Sequence, residues 1–128
     1  RVVRGQLGSA RECHSAGAAT CSYEPATDPH VLVVQATGED VTRPQPAPVA
    51  GIISTGPTFP APVNNVSVKN GGVPAVSYPY IGEAPGLVAG VLQVNVIVPD
   101  GVGSGPQTVE LTIGGASNSQ QTITVAIQ

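Results

Sequence analysis

Apolar and polar residues alternate along much of the second half of the chain. In VLQVNVIVP, Leu92, Val94, Val96 and Val98 fall on one face, and Gln93, Asn95 and Ile97 on the other. That two-residue period is the mark of a half-buried strand. The preceding APGLVAG supplies a Pro85-Gly86 turn, and Pro99-Asp100-Gly101 ends the run. Earlier, Val66 and Val68 share a face, Asn70-Gly71-Gly72 offers the residues of a tight turn, and Val73 to Tyr80 is expected to return as the second strand of a hairpin. Near the end, Val109, Leu111 and Ile113 alternate with Thr108, Glu110 and Thr112. Gly114-Gly115 then turns the chain, and Ile123, Val125 and Ile127 alternate with Thr122, Thr124 and Ala126. This predicts a second hairpin.

The first half is less regular. VLVVQATG, from Val31, reads as a buried strand and a turn, whereas TRPQPAPVAG is too rich in proline for a helix or a central strand. It should cross between sheets or run along an edge. Residues 1–30 have little apolar periodicity and read as an N-terminal arm. The expected architecture is therefore all-β: an immunoglobulin-like antiparallel β-sandwich of about seven strands over residues 31–128, preceded by that arm. Its core should hold Val66, Val68, Leu92, Val94, Val96, Val109, Leu111, Ile113, Ile123 and Val125.

Composition supports short strands joined by many turns. Gly (16) and Pro (13) are abundant in the 128 residues, Trp and Met are absent, and Tyr (3) and Phe (1) are few. A chain of this length builds one domain that buries roughly two thirds of its unfolded surface. Charged residues make up 10% and the net charge is −3, so no basic stripe exists to neutralise phosphates. Nucleic acid is not an expected partner. Every apolar run is interrupted well short of the roughly 18 residues a membrane helix needs, so no transmembrane segment is expected. With no Met at position 1 and no signal-peptide pattern, Arg1 reads as a processed or trimmed end of a longer precursor.

The two cysteines, Cys13 and Cys21, bracket the polar stretch CHSAGAATC. A disulfide there would stabilise by ~2–3 kcal/mol and fit an oxidising, extracellular compartment. A zinc reading would recruit His14 and His30, but Cys13 and His14 are adjacent and zinc ligands are usually spaced further apart. A c-type haem is excluded, because Ala10 stands where its first cysteine would be. No cofactor is expected.

From VLVVQATGED through VSVKNGGVPAVSY and IGEAPGLVAGVLQVNVIVPDGVGSG to VELTIGGASNSQQTITVAIQ, residues 31–128 resemble the Solibacter-type uncharacterised C-terminal domain of exported acidobacterial proteins. The resemblance is most specific in APGLVAGVLQVNV. It implies an immunoglobulin-like sandwich and an exported protein, and it brings no catalytic residues. The chain departs from the family near Val34 and Leu92, where aromatics are usual, and at Tyr80-Ile81-Gly82, where the family has Tyr-Ala-Gly.

Chemically capable side chains are sparse. His14, His30 and Asp28 lie in the arm and read as loop residues, since a Ser-His-Asp triad needs a rigid scaffold and a shaped pocket. Glu39 and Asp40 are neighbours that point to opposite sides of an extended chain, unlike an acid/base pair. Asp100 offers one oxygen where calcium needs six or more. Asn65-Val66-Ser67 fits the glycosylation sequon, a pattern common by chance. Tyr78 and Tyr80 share parity and would form a small ligand face on a strand. Core or edge packing is the competing reading of both.

These features point to a non-enzymatic extracellular or cell-surface structural module that associates with copies of itself or with neighbouring surface domains, as in a filament. The alternative is an accessory adhesin or carbohydrate-binding module that recognises polysaccharide through Tyr78 and Tyr80. In RVVRGQL, the apolar Val2, Val3 and Leu7 suit an arm that adds a strand to an exposed sheet edge, either in a neighbour or within its own chain.

Overall fold

The computed structural model describes residues 4–7, 31–38, 42–43, 51–118 and 123–127. Among these, all regular structure is β and all pairing is antiparallel. The described residues form eleven strand segments: β1 Arg4–Leu7, β2 Val31–Thr37, β3 Thr42–Arg43, β4 Ala61–Pro62, β5 Val66–Asn70, β6 Val73–Pro74, β7 Tyr80–Glu83, β8 Val91–Ile97, β9 Gly105–Ile113, β10 Ala116–Ser117 and β11 Thr124–Ile127. Among the described residues no helix is long and apolar enough to cross a membrane.

One sheet runs β1-β2-β8-β7 and the other β10-β9-β5-β6, with β11 also on β9; β3 and β4 form a separate ribbon. In the first sheet the pairing sets Leu32 opposite Val96, Val34 opposite Val94 and Ala36 opposite Leu92. All six are buried, because the alternation on each strand turns them to the same side. In the second, Val66, Val68 and Asn70 face Ile113, Leu111 and Val109. The apolar residues of the two inner faces join in one cluster with Val125. The expected core residues are buried there; Ile123 is partly buried and packs against the cluster.

Both Gly-Gly pairs make two-residue hairpin loops. Asn70 pairs with Val73 across Gly71-Gly72, and Ile113 with Ala116 across Gly114-Gly115. Each central residue has positive φ (56° and 81°; 55° and 88°), the left-handed backbone of a type I′ turn, whose twist matches that of the strands.

The return strands differ from expectation. Beyond Gly72 the partner of β5 ends at Pro74 instead of continuing to Tyr80. Ala75 N–H still donates to Val68 O (2.9 Å), and the chain then moves to the first sheet, where Ser77 O accepts from Ile97 N–H (3.0 Å) and Tyr80 opens β7. Beyond Gly115 the edge of β9 is shared by two segments, β10 and β11, where one strand was expected.

Candidate functional site

Tyr78 and Tyr80 do not share a strand. Tyr78 precedes β7 in the crossing between sheets, and its ring packs against the core. Its hydroxyl accepts from Val68 N–H (3.0 Å) and donates to Ala75 O (3.1 Å), so one phenol completes the edge of β5 that β6 abandons. Tyr80 is on β7, and its hydroxyl donates to Glu83 O (2.6 Å). The ring lies over Gly82, where a Cβ would stand 2.9 Å from the hydroxyl oxygen. Both aromatics are part-buried and serve backbone groups of their own chain.

Beyond Tyr80, at the far end of the same strand, the fold carries a buried carboxyl side chain that sequence pattern does not reveal. Glu83, 2% exposed at the end of β7, accepts through Oε2 from Ser54 Oγ (2.7 Å). Ser54 N–H donates to Leu87 O (2.7 Å), and Ser54 O accepts from Gly86 N–H (2.9 Å). Three bonds thus fasten residue 54 to the 83–87 turn. Glu83 N–H in turn donates to Pro60 O (2.7 Å), which occupies the outer edge of β7. The hydroxyl donates to a carboxyl 29 residues away in sequence, an arrangement suited to holding two segments together. On the outside of this clamp Ile52, Ile53, Leu87 and Val88 are exposed, and Ile53 bridges to Val88.

The opposite edge of the first sheet is occupied by β1. Arg4 pairs with Gln35, Gly5 with Val34, Gln6 with Val33 and Leu7 with Leu32. The arm segment singled out for strand addition therefore adds its strand to its own chain. Leu7 belongs to that strand, whereas Val2 and Val3 lie outside the described residues.

Cys13, Cys21, His14, Asp28, His30, Glu39 and Asp40 also lie outside the described residues. Asp100 is an exposed turn residue, and among the described residues no group of three His, Cys, Asp or Glu side chains is placed to hold a metal ion. Lys69 and Glu110 are cross-strand neighbours on the outer face, with Nζ and Oε1 3.7 Å apart. Such an exposed pair contributes little to stability.

Sequence reasoning offered the two tyrosines as a ligand face or as core and edge packing, and it missed Ser54, Glu83 and the buried Asn118, whose side-chain amide bonds the backbone of Leu111 and Val109. No protein-family model, curated protein or solved structure matches the chain.

Proposed function

We propose that this chain is a non-catalytic structural module, immunoglobulin-like in topology, that works at the cell surface or outside the cell and associates with copies of itself through its first strand. The observation that carries this reading is the position of β1, antiparallel to Leu32–Gln35 at the edge of the sheet. Strand addition draws its affinity from main-chain hydrogen bonds, and an edge offers the same bonds to a strand from its own chain or from a copy. The long stretch of sequence between β1 and β2 makes exchange with a neighbour a matter of connection, with no new interface required.

Two sheets that share one apolar core suit the sandwich assignment, as does the resemblance of residues 31–128 to the Solibacter-type domain. The extracellular location rests on that resemblance and on the disulfide reading of Cys13 and Cys21. The test is light scattering with size-exclusion chromatography on the full chain and on a variant lacking residues 1–12. The full chain should form concentration-dependent higher species and the variant should stay a folded monomer. Assembly that survives the deletion, or a full chain that is monomeric at every concentration, would overturn the proposal. Retention of the monomer on insoluble polysaccharide would favour the binding-module alternative.

A further inference from the structure

Asn70 stands apart from every other buried polar side chain described above. It is 1% exposed at the inward-facing end of β5, and neither Oδ1 nor Nδ2 has a hydrogen-bond partner. The next residue is Gly71, whose nitrogen has no side chain beside it to shield it, and that N–H donates to Thr108 O (2.8 Å). An asparagine side-chain amide and the backbone nitrogen that follows it are a reactive pair, and a glycine in second position hinders their approach least.

We propose that Asn70-Gly71 is a latent self-modification site, closed while the hairpin is paired and reactive when its end opens. In the open state the Gly71 nitrogen gives up its proton to solvent and attacks Asn70 Cγ. The Cγ–Nδ2 bond breaks, Nδ2 takes a proton from solvent and leaves as ammonia, and a succinimide joins the two residues. Water then adds to one of the two ring carbonyls and the bond from that carbon to the ring nitrogen breaks, leaving aspartate or isoaspartate. No electrons are exchanged, and water is the sole co-reactant.

The fold controls both directions. In the closed state, pairing of Asn70 with Val109 and Val73 holds the backbone extended, and the bond to Thr108 occupies the attacking nitrogen. Reaction requires local opening, whose free energy sets the protection. The product is not readmitted. An aspartate would bring a carboxylate into a buried site that offers no partner. Isoaspartate lengthens the main chain at the residue that sets the register of β5 against β9 and β6. The hairpin end is therefore a one-way recorder of its own opening, a property independent of strand exchange.

The test follows the full chain in mildly alkaline buffer, folded and in urea, with peptide mapping by mass spectrometry and separation of the aspartate and isoaspartate products. In urea, Asn70 should convert ahead of Asn95, whose following residue, Val96, is branched. In the folded chain the conversion of Asn70 should be at least about tenfold slower than in urea. Equal rates in the two conditions, or Asn95 reacting first in urea, would overturn the proposal. The variant Asn70→Asp supplies the product directly. A lowered melting temperature or failure to fold supports exclusion of the product, and an unchanged melting temperature refutes it.

Discussion

The side chain of Asn118 stands in for a peptide unit against Leu111. Its Oδ1 accepts from Leu111 N–H (2.8 Å) and its Nδ2 donates to Val109 O (3.1 Å), while its own N–H donates to Leu111 O (3.2 Å). Beyond it the ladder resumes as Val109 N–H donates to Ile123 O (2.8 Å). A primary amide carries the same donor and acceptor as the backbone, so one buried residue splices β10 to β11. Asn118→Leu should cost roughly 2–4 kcal/mol in urea unfolding, because two backbone groups lose their partners in the interior. Hydrogen exchange at the Leu111 amide should accelerate in the same variant, and an unchanged rate would show that the amide is held by other means.

Tyr78 performs the matching task on the other edge of the sheet. Tyr78→Phe keeps the ring in the core and removes only the oxygen that joins Val68 N–H to Ala75 O. A loss of about 1–2 kcal/mol in thermal or chemical denaturation is expected. A neutral result would mean that water replaces the phenol without penalty.

The Ser54–Glu83 clamp is tested by asymmetry. Ser54→Ala removes a hydrogen-bond donor from the buried Glu83 side chain and should cost ~1–3 kcal/mol, whereas Ser54→Ala combined with Glu83→Met removes both polar partners and should recover part of that loss. Melting temperatures of the single and double variants decide the point. A double variant less stable than Ser54→Ala would show that Glu83 contributes through other contacts.

In the core, Leu111→Ala should destabilise by about 2–5 kcal/mol, since Leu111 is 3% exposed and faces Val68. Asn70→Leu should act in the opposite direction. It replaces two unpaired polar atoms with apolar ones of similar bulk and should raise stability by about 1 kcal/mol in the same urea titration.

These pairs also show what a sequence reveals. Leu92, Val94 and Val96, and likewise Val109, Leu111 and Ile113, are legible because burial on a strand repeats every second residue and needs no knowledge of the partner. The Gly-Gly turns are legible because positive φ selects glycine. Asn118 and Glu83 are not, since a polar residue goes inside only when a specific partner arrives from elsewhere in the chain; Ser54 comes from the stretch between β3 and β4, 29 residues before Glu83. The role of Tyr78 was hidden for a related reason. Its parity with Tyr80 suggested one strand, but the chain changes sheets between them. Of the candidate site, the sequence marked the tyrosines and left unseen the backbone groups that occupy them.

The pairing order of the strands bears on how the chain reaches this state. β2 finds its partner in β8 and β5 in β9, each across a long intervening stretch, whereas the short hairpins of β5–β6 and β9–β10 close locally. The entropy of closing those long loops must be met before the distant contacts yield any return, so folding should be slow for a domain of this size. Until β2 and β8 meet, their apolar faces stand open to other newly made chains. A holdase that shields β8 would then raise the yield of folded protein without altering its final stability.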